Sequence, residues 1–352
     1  MLQHQYIERD SGAVVTEQLL GDRMVQLLYH QVRENSSGLF RLLTSSWSSQ
    51  VLGAVNFDRP LLNREGFAAR CGIDLSECLD PLQELNTARK LFERRIRYEQ
   101  CRPLPDDPAA VLSPADARVI VGSLQETALF FLKDKFFSFE ELIGPERSFW
   151  RHRFADGDFA VFRLTPDKYH YNHVPVSGRV VDFYSIDGAY HCCNPAAVVS
   201  MVTPYSKNKR VVTLIDTDVE GGSRVGLVAM VEVVALMIGD IVQAYSDQAY
   251  DDPRQVRVGM FLKKGQPKSL YRPGSSTDIL FFQRGRVRFA PDLLQNQLKN
   301  GVASRFTQGF SRPLVETDIQ VRSLLATAAD GARRGNPCNL SLIHISEPTR
   351  HG

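Results

Sequence analysis

The longest apolar run in the chain, Val225–Val242, reads VGLVAMVEVVALMIGDIV. It is about as long as a helix that crosses a bilayer. Glu232 and Asp240 lie inside it, and ionisable side chains are expensive in hydrocarbon. Its valines, isoleucines and internal glycines favour extended backbone over helix. The run therefore predicts a buried strand, and any membrane contact should be peripheral. A strand of this kind needs partners on both edges and apolar layers on both faces.

Candidate partners follow the cluster Pro103-Leu104-Pro105-Asp106-Asp107-Pro108, which reads as a loop and a boundary. They are Arg118–Val121, Phe159–Leu164, Val180–Tyr184 and Val211–Asp216, with Val225–Val234 itself, punctuated by glycines. Before the cluster the spacing is helical. Leu20, Met24, Leu27 and Leu28 share a face over residues 17–33, and Leu39, Leu43, Trp47 and Val51 over residues 39–52. Such helices either pack on their own domain, the commoner case, or lie in a membrane interface. A third helical stretch, Leu82–Tyr98, carries Arg89, Lys90, Arg94, Arg95 and Arg97. That basic face is either solvated surface or a contact for lipid phosphates. The fold class read from this pattern is α+β: a helical region over residues 1–102 packed on a β-rich catalytic domain over residues 103–326. Residues 327–352 turn small, polar and Gly-rich, and SLIHISEPTRHG resembles a translated sequencing adaptor. This tail is expected to be disordered or foreign to the fold.

The charges nearly cancel, 42 basic against 40 acidic, so composition argues against nucleic-acid wrapping. Six cysteines at 71, 78, 101, 192, 193 and 338 form no CxxC pair. They read as thiols in a reducing compartment. The N-terminus lacks the basic and apolar regions of a signal peptide.

Three segments could carry chemistry: Ser113-Pro114-Ala115-Asp116-Ala117-Arg118, Tyr169-His170-Tyr171-Asn172-His173-Val174-Pro175, and Tyr271-Arg272-Pro273-Gly274-Ser275-Ser276-Thr277. Singly each is weak. Asp116 could be a turn former. His170 and His173 could be a metal pair, but no third ligand stands at a suggestive spacing. His191-Cys192-Cys193 reads equally well as a buried thiol pair. No metal is expected.

In this order the three segments are specific. Together they resemble the phosphatidylserine decarboxylase family, with its Pro-Ala-Asp-Gly, Tyr-His-Arg-x-His-x-Pro and Gly-Ser-Thr motifs. The resemblance runs from about residue 40 to residue 290 and includes Ser138–Gly144 and Lys207–Val211. It implies self-cleavage between Ser275 and Ser276. Ser276 Oγ would attack the carbonyl of Ser275, with His173 as base and Asp116 orienting it, a triad turned on the protein's own backbone. Elimination of the resulting ester would leave dehydroalanine at position 276, which water would hydrolyse to a covalent pyruvoyl group with loss of ammonia. The products would be a β-chain/α-chain heterodimer, with further dimerisation compatible with it. The pyruvoyl ketone would form a Schiff base with the substrate amine and take up electrons as CO2 leaves. The resemblance gives His170 to substrate binding and proton transfer. It also implies a phospholipid substrate, phosphatidylserine converted to phosphatidylethanolamine, at the cytoplasmic face of a membrane. The hairpin Asp278–Phe282 to Arg286–Phe289 is expected to hold the new α-chain.

Ser275 stands where the family has Gly, Tyr171-Asn172 where it has Arg and a hydrophobic residue, and Ala117 where it has Gly. The gapless spacing from Ser276-Thr277 to Gly285-Arg286-Val287 favours Ser276 as the attacking residue, with Ser275 as the fallback. Two alternatives remain open: a pyruvoyl-dependent decarboxylase of a soluble amino acid, and a lipid-binding paralogue that never matures.

Overall fold

A computed structural model describes residues 3–19, 22–125, 136–201, 203–236, 240–273, 276–310 and 312–329. Among these, the apolar run forms the strand Leu227–Val234, with every residue buried. It lies between Arg210–Asp216 and Ser276–Phe282, antiparallel to both. Across the described residues, this ten-stranded sheet continues in both directions. On one side come Gly178–Ile186 and Phe261–Leu262. On the other come Asp158–Leu164, Ala117–Ser123, Thr317–Ile319, Gln5–Glu8 and Val14–Thr16.

Alternation along the central strands sends side chains into two separate cores. Leu280 and Phe282 join Val228, Met230, Ala160 and Phe162 on one face. Ile279 and Phe281 join Ala229, Val231, Val161 and Phe159 on the other. Helices cover the second face through Leu142, Trp150, Phe154, Val198, Tyr205 and Phe306. Two three-stranded sheets lie beyond the first face. One orders Ile241–Gln243, Pro267–Tyr271 and Tyr171–His173; the other orders Val287–Phe289, Leu324–Ala328 and Ala110–Leu112. No side chain can replace Gly157, whose Cβ would stand 2.0 Å from the carbonyl oxygen of Phe282.

The α+β reading holds, with local corrections. The first hundred residues are not purely helical: Gln5–Glu8 pairs in parallel with Thr317–Ile319. The last strand runs to Ala328, two residues past the expected boundary. Leu82–Tyr98 is not one helix; only Ala88–Phe92 is helical before Tyr98–Cys101 begins. Its arginines are largely spent inside the molecule. Arg89 pairs with Asp58, Arg95 with Asp80, and Arg94 is buried with its guanidinium on the carbonyl of Asp167. The expected hairpin does not form. Both edges of Ser276–Phe282 are already paired, so Val287–Phe289 crosses to Leu324–Ala328 instead. The tail from residue 330 lies outside the described residues.

Phe281 is fully buried and meets Phe137 and Phe139 edge-on at 5.5 and 5.0 Å between centroids. Phe281→Ala should destabilise the protein by about 3–5 kcal/mol, measured by urea unfolding. A loss under about 1 kcal/mol would contradict the packing described.

Candidate active site

Ser276 opens the central strand and is 2% exposed. Its Oγ has no hydrogen-bond partner. Leaving a buried hydroxyl unsatisfied costs roughly 1–3 kcal/mol, and such atoms concentrate where chemistry is done. Gly274 and Ser275 lie outside the described residues.

His173 ends the strand Tyr171–His173, paired antiparallel with Pro267–Tyr271. The turn before that partner places Gly265 at φ +80°, a left-handed conformation that glycine adopts without strain. Its carbonyl oxygen lies 2.8 Å from His173 Nδ1. A carbonyl only accepts, so Nδ1 carries the proton and Nε2 is the basic nitrogen. Nε2 in turn lies 3.0 Å from the Tyr169 hydroxyl, itself 2.6 Å from that of Tyr250. Burial pushes His173 down to about 3, so the ring is a neutral base.

Asp116 is held elsewhere. Arg102 donates to both its oxygens at 3.1 and 2.9 Å, and the Val321 amide donates at 2.7 Å. Burial alone would raise this carboxyl, but the Arg102 guanidinium outweighs it and holds Asp116 below its ordinary value. Asp116 touches His173 only through its own segment, where the Pro114 carbonyl accepts from the His173 amide at 2.7 Å. The sequence-predicted trio is therefore not joined by hydrogen bonds in this structure. Ser276 Oγ is unpartnered, and the hydrogen bonds of His173 and Asp116 run to other groups.

His170 is fully buried, and both ring nitrogens are unpartnered. Its ring stacks on Phe92 at 3.5 Å between centroids. Burial pushes it down to about 3. Its backbone carbonyl accepts from Tyr271 at 3.0 Å, which ties it to the strand leading to Ser276.

Sequence reasoning missed a buried polar network on the Ser276 face. Glu232 pairs with Asp278 across the two central strands. Lys268 Nζ donates to Glu232 at 2.6 Å, with both side chains fully buried. Gln243 and Asn172 donate to the same carboxylate at 3.1 and 3.2 Å, and Ser269 also donates to it. The Tyr271 hydroxyl lies 2.7 Å from Asp278 Oδ1 and 3.0 Å from the Thr277 carbonyl. Asp278 Oδ2 and Asn172 Oδ1 have no partner. The available signal was a lone acid in each of two strands that otherwise carry no charge.

Thr277 Oγ1 lies 3.1 Å from Cys193 Sγ, a thiol that burial pushes up to about 12. Among the described residues, His4, Glu17 and Glu316 come within metal-ligating distance of one another. The Arg163 guanidinium already donates to both carboxylates at 2.6 Å.

A family model for phosphatidylserine decarboxylase matches residues 88–308. The chain is 26% identical over 313 residues to a phosphatidylserine decarboxylase proenzyme of Fusobacterium nucleatum, covering 87% of this chain and 95% of the relative. It is 28% identical to a Chlamydia trachomatis proenzyme of the same description, covering 82% and 90%. With one from Bordetella petrii it shares 32% identity, covering 63% and 78%.

The two buried histidines carry a pH signature. Both fall from 6.5 to about 3 in the fold. Between those values the unfolded chain binds protons that the folded chain refuses, so stability falls as pH falls. Each should cost up to about 1.4 kcal/mol per pH unit below its unfolded value. Urea midpoints should drop steadily from about pH 6.5 downward, and constant midpoints would contradict the burial of these rings.

Proposed function

This chain belongs to the phosphatidylserine decarboxylase family, and we propose that it cuts itself before Ser276 and decarboxylates phosphatidylserine to phosphatidylethanolamine. The chain is a carboxy-lyase. The relatives' description as proenzymes supports maturation by cleavage.

The observation that carries the reading is Ser276 itself, a buried, unpartnered hydroxyl at the head of a strand paired on both edges. Conversion to a pyruvoyl group would turn the hydroxymethyl side chain into a methyl group, with Oγ leaving in the Ser275 carboxylate, and remove the hydroxyl's burial penalty. The position thus fits the group. When formed, the group supplies a carbonyl for the substrate amine and a sink for the electrons CO2 leaves behind.

In this proposal His173 is the base for cleavage through Nε2. Tyr169 must first release that nitrogen, and the bond from Nδ1 to the Gly265 carbonyl keeps the tautomer correct. Asp116 acts as a positioning group: with Arg102 it fixes the segment whose Pro114 carbonyl holds the His173 backbone. His170 is proposed to bind the substrate carboxylate through a ring N–H and to take part in proton transfer.

The substrate is proposed to arrive from a membrane surface, at its cytoplasmic face. Leu39, Leu42, Trp47, Val51, Leu52 and Val55 are exposed on the neighbouring helices Ser37–Leu43 and Ser46–Phe57. Such a cluster suits insertion among headgroups. Helix Ser37–Leu43 also borders an open cleft of about 340 Å³ lined by Phe40, Arg41, Thr44, His191 and Met201, among others. Among the described residues no helix is long and apolar enough to cross a membrane.

Three experiments test the proposal. Ser276→Ala should leave one intact chain without decarboxylase activity; a cut that persists would sink the assignment. Trp47→Glu combined with Leu42→Glu should reduce sedimentation with anionic vesicles at least about tenfold while leaving self-cleavage intact. Unchanged sedimentation would remove these helices from the membrane contact. Turnover of free serine exceeding that of phosphatidylserine vesicles would favour a soluble amino-acid substrate.

A further inference from the structure

Ser276 and Asp278 project from the same face of one strand, about 7 Å apart along it. That face looks onto the strands carrying Asn172, Lys268 and Tyr271. Three buried polar atoms there lack partners: Ser276 Oγ, Asp278 Oδ2 and Asn172 Oδ1.

The hydrogen bonds leave a place for a proton on Asp278. The Tyr271 hydroxyl has one proton and faces two acceptors, Asp278 Oδ1 and the Thr277 carbonyl. Both contacts are satisfied when Asp278 is protonated and donates to Tyr271, whose own proton goes to Thr277. Glu232 faces Asp278 across the ladder, and its carboxylate is already occupied by Lys268, Gln243, Asn172 and Ser269. Two carboxyls this close do not readily ionise together. Burial and then Glu232 hold Asp278 well above the ordinary carboxylate range.

We propose that Asp278 is the catalytic acid of the decarboxylation, delivering its proton to the substrate carbon that loses CO2. This rests on the reading that residue 276 carries the pyruvoyl group, and it names that reaction's proton source. As CO2 leaves, the bond between the substrate's α-carbon and its carboxylate carbon breaks, and the electron pair stays behind. The Asp278 O–H bond breaks, and its proton forms the new C–H bond on the α-carbon. Asp278 regains a proton from solvent as product leaves, so one proton is consumed per CO2 released. His170 keeps both tasks proposed for it: it binds the carboxylate, and its part in proton transfer is to pass the solvent proton back to Asp278. Glu232, Lys268 and Tyr271 are positioning residues: Glu232 keeps Asp278 protonated, Lys268 holds Glu232 in place, and Tyr271 holds Asp278.

The test is Asp278→Asn, which preserves shape and a hydrogen-bonding contact to Tyr271 but has no acidic proton. The variant should form two chains as the wild type does. Release of phosphatidylethanolamine from phosphatidylserine vesicles should fall at least about 100-fold. A second readout separates acid catalysis from a structural role. Without a fixed donor the proton reaches the carbon of residue 276, the amine nitrogen stays on the protein, and the substrate leaves as an aldehyde. Mass spectrometry should then show the short chain of Asp278→Asn acquiring an N-terminal alanine during incubation with vesicles. Product release within about threefold of wild type, or a loss without alanine formation, would overturn the proposal. If Asp278→Asn stays uncut, Tyr271→Phe decides: it should show alanine formation above wild type, and its absence would overturn the proposal. A wild-type chain that never cuts would fell the self-cleavage reading and this inference with it. A cut, active wild type beside a fully active Asp278→Asn would fell the inference alone.

Discussion

The strand Ser276–Phe282 is hydrogen-bonded along its whole length to Asp158–Leu164 on one edge and Leu227–Val234 on the other. Every other feature of the site follows from this double pairing. A new chain end beginning at residue 276 would stay pinned by two ladders and two buried apolar faces, without a hairpin of its own. Tyr271 adds a bond to the Thr277 carbonyl, one residue from the proposed cut. The backbone can therefore be broken before Ser276 without releasing the strand.

The same pairing decides what faces the chemistry. Alternation sends Thr277 toward Cys193 and the helices, and sends Ser276 and Asp278 toward the small sheet. On that side the fold tolerates two buried carboxyls and a buried ammonium. Burying an ion pair is costly unless its remaining polar atoms are satisfied. Glu232 and Lys268 meet that condition through Gln243, Asn172 and Ser269. Asp278 does not, and its spare oxygen is a reason to assign it a task.

Much of this was legible in the sequence. Val225–Val234 had the composition of a strand buried on both faces, and Glu232 within it excluded a membrane helix. Ser276, His170 and His173 were singled out because three short motifs stand in a specific order along the chain. The geometry between them was not legible. His173's partners are a backbone carbonyl, which no side-chain pattern reports, and Tyr169, which reads as one aromatic among several. Asp116 was singled out by its motif as the residue orienting His173, whereas its pairing is with Arg102, a contact across the boundary at residue 103. The Leu82–Tyr98 helix failed because tertiary pairing of its arginines outweighed local propensity. The Glu232–Asp278 opposition is set by strand register, which a linear pattern does not contain.

The central claim is that the chain breaks itself immediately before Ser276. Intact-mass measurement of the purified wild-type protein under denaturing conditions tests it most directly. The account predicts two chains, the longer ending at Ser275 with a free carboxyl and the shorter beginning at position 276 with a pyruvoyl group that blocks Edman degradation. A single uncut chain, or a short chain with a free serine amine at its start, would contradict it.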